Sequence, residues 1–136
     1  MKNRGFTLVE LLAVVIILSI IALILVPNIV GNLNNYRDKL NDTQIKNIES
    51  AARVWGSDNL YIMPNDSEST NVCYYANINN CESNYKTLVV TLSILQNAGY
   101  IGSDLKDIKT NQEMNELEIH ITKNGNRLDY QVMYES

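Results

Sequence analysis

Histidine occurs once in this chain and cysteine twice. His120, Cys73 and Cys81 are too few for a closed zinc set, so no metal is expected. Lysine and arginine form no cluster, and the 11 basic residues face 15 acidic ones, a net charge of −4. Little is available to meet phosphates, and nucleic acid is disfavoured as a partner. Ser/His/Asp sets, phosphate-binding glycine loops and paired acids at catalytic spacing are missing as well, so nothing points to an enzyme or a cofactor. His120 lies in an alternating strand pattern with glutamates at neighbouring exposed positions, and reads as a solvent-facing side chain without a role. Asn65-Asp66-Ser67-Glu68 offers oxygens but lacks the ligand spacing of a calcium loop, and reads as a solvated turn.

Charge is absent altogether from Leu11 to Val26. Lys2 and Arg4 precede this run, with one acid, Glu10, at its start. A segment apolar on every side is either fully buried or in lipid. Leu11–Val26 makes about 24 Å of helix at ~1.5 Å per residue. Extension to Phe6 and to Ile29–Val30 reaches across a bilayer core of about 30 Å. The basic start places the N-terminus in the cytoplasm and the remainder outside. A cleaved secretory signal needs small residues after the run, and Val26-Pro27-Asn28 does not supply them. A plain signal anchor accounts for everything except Glu10, whose carboxylate is costly in lipid unless protonated or partnered. A cut between Gly5 and Phe6 would put a new α-amino group one helical turn from Glu10. Pairing of the two would offset much of that cost.

The stretch "RGFTLVELL" closely resembles the processing site of type IV prepilins and pseudopilins. The resemblance implies a cut after Gly5, N-methylation of the new terminal Phe6, and an assembly role for Glu10, which seeks the Phe6 amine of a neighbouring subunit. Pro27 matches a proline that family members commonly carry at this distance, and it is expected to kink or locally melt the helix, as its ring crowds the Leu23 carbonyl. The implied organisation is a leader over 1–5, a transmembrane and filament-core helix over 6–30, and a globular pilin domain over 31–136. The implied partners are copies of the same chain in a helical filament, a prepilin peptidase and methylase, and an assembly platform membrane protein with its ATPase system. The membrane holds the precursor before assembly. The implied function is a structural subunit of a type IV pilus or pilus-like surface filament, passing from the inner or cytoplasmic membrane to the cell surface. A pseudopilin of a type II secretion or competence DNA-uptake machine shares this processing and stays open. So does a signal-anchored monomeric surface-binding protein, although it leaves Glu10 unexplained.

The remaining chain suits one small domain. Ile29, Leu33, Tyr36, Leu40, Ile48, Ala52 and Trp55 recur at helical steps, interrupted at Gln44, with polar residues on the other faces. This predicts an amphipathic helix to about 56, docked along its stripe on something apolar. Residues 57–86 read as a long loop with a short strand around Val72–Ala76. Cys73 and Cys81 close a short loop there, as a disulfide if the chain faces the outside and as two free thiols otherwise. "VTLSILQNAGYIG" predicts a short helix over about 91–98, with Thr91 as N-cap and Gly99 as its stop. "ELEIHITK" and "RLDYQVMYE" alternate apolar and polar residues around Asn124-Gly125-Asn126 and predict a hairpin over about 116–135. The expected fold class is α+β: a long N-terminal helix packed on a small antiparallel β-sheet, pilin-like.

Overall fold

A computed structural model describes the backbone of residues 5–135, and every side chain in that range except those at 26–28 and 30. The first four leader residues therefore lie outside the described residues. The chain forms two compact units, one up to Lys39 and one from Leu40 onward.

Helix α1 spans Leu8–Asp58. In the first unit it carries Leu8–Leu25, long and apolar enough to cross a membrane, with none of that window buried. At ~1.5 Å per residue the window is about 27 Å long, close to the thickness of a hydrocarbon core. Ser19, a hydroxyl within it, donates to the Val15 carbonyl at 2.7 Å and so keeps its polar group satisfied inside the helix. Helical backbone runs through Pro27 without a break, so the local melting expected there does not occur. The proline side chain itself falls outside the described residues.

The second unit is a helix-on-sheet fold. Strands β1 (Val72–Tyr74), β2 (Thr87–Thr91), β3 (Glu118–Asn124) and β4 (Arg127–Val132) form one sheet in the order β1-β2-β3-β4. The sheet is mixed, which corrects the antiparallel expectation. β2–β3 and β3–β4 are antiparallel, whereas β1 pairs parallel to β2. A parallel pair needs a crossover of about a dozen residues, and the segment 75–86 provides it. Part of that segment is a 3-10 turn, Tyr75–Asn80.

Register puts Cys73, Leu88, Ile121 and Tyr130 in one row across the sheet, and Val90, Ile119 and Val132 in the next. Leu88, Val90, Ile119 and Ile121 are fully buried and meet Ile48, Ala52 and Trp55 of α1 in a single core. Only this end of the predicted apolar stripe docks. Ile29, Leu33, Tyr36 and Leu40 stay exposed, which corrects the expectation that the whole stripe is covered. Trp55 is a core residue, edge-on to Tyr75 with ring centroids 5.4 Å apart.

β2 was not anticipated. "TLVV" shows no alternation because Leu88, Val89 and Val90 are all buried, Val89 on the sheet face opposite the core. Helix α2 (Leu92–Asn97) follows directly. Thr91 has the extended backbone of an N-cap but makes no capping hydrogen bond, since its hydroxyl pairs with that of Ser93 at 2.8 Å. Gly99 takes φ +83° beyond the helix end, and the Tyr100 amide donates to the Leu95 carbonyl at 3.0 Å. Between β3 and β4 Gly125 supplies φ +60° at the first position of a two-residue turn.

Helix and sheet approach closely at Gly56. A Cβ there would lie 2.2 Å from the Tyr130 hydroxyl oxygen. The Arg53 guanidinium sits over the same Tyr130 ring, 4.9 Å from its centroid, and is held by Glu49 at 2.7 Å.

Candidate functional site

The expected processing and assembly residues lie at the start of α1. Gly5 and Phe6 precede the helix in non-helical backbone, and the Phe6 side chain is 90% exposed. Space around Gly5 is open: a Cβ there would meet nothing within 4 Å. Among the described residues, nothing in the packing requires glycine at this position.

Helix termini leave the first backbone N–H groups without partners. Here they are met reciprocally. The Thr7 amide donates to Glu10 Oε2 at 2.9 Å, and the Glu10 amide donates to Thr7 Oγ1 at 3.3 Å. Thr7-Leu8-Val9-Glu10 is thus a capping box, with Thr7 as N-cap and Glu10 at the third helical position. The carboxylate also sits at the positive end of the helix dipole. Glu10 therefore already has a partner inside its own chain, the Thr7 amide. The T-x-x-E spacing that signals this was legible in the sequence. Among the described residues Glu10 Oε1 has no hydrogen-bond partner.

Cys73 and Cys81 are joined by a disulfide with Cα atoms 5.5 Å apart. Cys73 is buried beneath the sheet and Cys81 half-buried, so the bond ties the crossover segment to β1. His120 is more covered than expected, and its Nε2 lies 3.1 Å from Glu118 Oε2. Among the described residues no group of three or more His, Cys, Asp or Glu is placed to hold a metal ion.

A polar cluster that the sequence did not advertise secures the segment between α2 and β3. Asp107 accepts from the Tyr134 hydroxyl at 2.6 Å and from the Lys109 and Thr110 amides at 2.7 and 2.9 Å. The Tyr134 hydrogen bond, followed by the backbone donors, holds the Asp107 carboxyl below its ordinary value. The same hydrogen bond pushes the Tyr134 phenol up. Asn111 turns the loop with φ +58°, and Gln44 on α1 donates to the Lys106 carbonyl at 2.9 Å. The interruption of the apolar stripe at Gln44 is thus a contact to this loop. Beside it Asn41 is buried, 4% exposed, with its Oδ1 unpartnered among the described residues.

Three relatives, each named Type II secretion system core protein G, are similar to this chain over 58 residues. They come from Pectobacterium carotovorum subsp. carotovorum (36% identical), Escherichia coli strain K12 (34%) and Vibrio cholerae serotype O1 (40%). Each match covers 43% of this chain and 37–40% of the relative. The chain thus spans about two fifths of the length of the curated relatives it matches. No solved structure matches. Residues 1–26 match the family described as "Prokaryotic N-terminal methylation motif", and the chain carries that motif at the start of its apolar helix.

Proposed function

We propose that this chain is a structural, non-catalytic subunit of a type IV pilus or pilus-like surface filament. It is made as a membrane precursor with its N-terminus in the cytoplasm, cut after Gly5, methylated at Phe6 and assembled through its apolar helix. The observation that carries the reading is the methylation motif running straight into the uncovered apolar window Leu8–Leu25. An apolar surface of that length has two covers of matching chemistry, lipid before assembly and other copies of the same helix after it. The exposed Gly5–Phe6 linkage, lying before the cap, suits a peptidase that must reach the backbone. Glu10 remains anchored to Thr7 and offers its second oxygen to the Phe6 amine of its own or a neighbouring copy. A bend at Pro27 that lets the anchor adjust on packing belongs to the same proposal. The implied partners are further copies of the chain, a prepilin peptidase and methylase, and an assembly platform with its ATPase.

A second reading, a pseudopilin that builds a short fibre in a secretion machine, is favoured by the names of the type II secretion relatives. Both readings share the N-terminal chemistry. Mass spectrometry of the membrane-extracted protein tests it: the expected N-terminus is N-methyl-Phe6, and an intact Met1 or Lys2 terminus refutes both. Electron microscopy of cells with and without the chain then separates them, with long surface filaments favouring the pilus.

A further inference from the structure

A groove of about 280 Å³ opens beside the disulfide, between β1 and the Tyr75–Asn80 turn, lined by Asn71, Tyr74, Asn77, Asn80 and Glu82 around the two cysteines. Val72 and the buried Tyr85 complete the lining, so its chemistry is amide, one carboxylate, two tyrosines and an apolar remainder. The side-chain amides of Asn77 and Asn80 have no hydrogen-bond partner among the described residues. Glu82 accepts from the Asn71 amide through Oε2, which leaves Oε1 for a ligand. Tyr74 is 52% exposed on the edge strand.

These features narrow the ligand class. No lysine or arginine lines the groove, so it lacks the cationic partners that phosphate, sulfate or carboxylate groups require. Its walls mix polar and apolar surface in similar measure, and the three amides and the carboxylate among them do not suit a hydrocarbon tail. An amide presents a donor and an acceptor side by side, which matches adjacent hydroxyls that each donate and accept. The exposed phenol ring offers an apolar face for C–H groups. Ligand pockets for drug-sized molecules run to about 300–1,000 Å³, so this groove suits one or two rings rather than a long chain. The disulfide and the β1–β2 pairing hold both walls in place, which reduces the ordering that binding must oppose.

We propose that this groove binds a neutral saccharide, with Asn77, Asn80 and the free oxygen of Glu82 taking its hydroxyls and Tyr74 lying against its apolar face. The site does not depend on whether the chain polymerises. The test uses the full chain in a detergent without a sugar head group, titrated with maltose, cellobiose and N,N′-diacetylchitobiose. Saturation-transfer and amide-shift NMR follow each titration. The expected result is transfer to ring protons of at least one disaccharide, with shift changes in residues 71–82. Tyr74→Phe retains this binding, while Tyr74→Ala and Asn80→Ala each weaken it about tenfold. If Tyr74→Ala fails to fold, the exposed-turn variants Asn77→Ala and Asn80→Ala decide the matter. Absence of transfer to all three sugars overturns the proposal. Binding that survives these alanine variants, or that shifts only residues outside the groove, overturns it equally.

Discussion

Gly56→Ala sets two effects of opposite sign against each other. Within a helix, alanine is favoured over glycine by about 1 kcal/mol. Gly56 has ordinary helical backbone, so propensity alone forecasts a more stable protein. Packing forecasts the reverse. The new methyl would lie 2.2 Å from the Tyr130 hydroxyl oxygen and 3.0 and 3.1 Å from its Cζ and Cε1 atoms. The phenol must therefore move, and its ring, which stands beside Ile121 in the same row of the sheet, is packed against the core. Overpacking of this kind costs about 1–3 kcal/mol. Displacing the ring from beneath Arg53 forfeits a further ~0.5–1 kcal/mol of cation–π attraction. The balance is a net loss of about 0.5–3 kcal/mol, a fall of several degrees in the midpoint of thermal unfolding for a unit of this size. Circular dichroism of the full chain in detergent reads that midpoint. Tyr130→Leu, which removes the ring, should abolish the penalty, so that adding Gly56→Ala to it becomes neutral or stabilising. A rise in midpoint for Gly56→Ala in the wild-type background would show that the close helix–sheet approach is wrong.

Four further outcomes are expected. Glu10→Gln keeps an oxygen for the Thr7 amide, so N-terminal processing persists; it removes the charge that balances the Phe6 amine, typically about 3–5 kcal/mol per stranded buried partner, and filaments should be lost, whereas wild-type filaments from the mutant alone would refute the assembly role. Gly5→Val should block processing while leaving the fold of the mature part unchanged, since a side chain at Gly5 meets nothing in the chain; a normal mature mass counts against the cut site. Replacing Cys73 and Cys81 by serine should lower stability by about 2–3 kcal/mol, from closure of a loop of roughly nine residues, measured by denaturant unfolding with thiol labelling of the untreated protein as control. Asp107 has a folded-state carboxyl held below its ordinary value of 3.8, so its contribution is present above that value and disappears as pH falls through the folded value; Asp107→Asn should be less stable than wild type near neutrality and lose less stability on acidification below about pH 4.

The N-terminal features were the most legible because they are local. An uncharged run, a basic start and a T-x-x-E spacing are each readable within a few residues. The hairpin was legible for the same reason, as β3 and β4 alternate around a glycine turn. β2 was hidden by its own burial: with both faces covered, Leu88, Val89 and Val90 carry no period. The parallel β1–β2 pair was hidden because its direction depends on how the crossover segment travels, which three strand residues cannot encode. The apolar stripe of α1 was read correctly as a stripe but not in its division. Ile48 and Ala52 look no different in sequence from Leu33 and Leu40, and only the sheet's reach decides which are covered. The Asp107–Tyr134 contact joins residues 27 apart in sequence and leaves no pattern at all.

The position of the disulfide bears on when the fold can be completed. Strand β1 is three residues long and lies at the sheet edge, and its pairing to β2 waits on a crossover that contains Cys81. Non-local parallel pairing forms late because chain closure must precede any reward. The Cys73–Cys81 bond shortens that closure, and structural disulfides form and persist chiefly in oxidising compartments outside the cytoplasm. If the chain is exported as proposed, the edge of the sheet is latched after export rather than before it. On the cytoplasmic side the chain would keep β1 and the 75–86 segment loose, in a form suited to threading through a membrane.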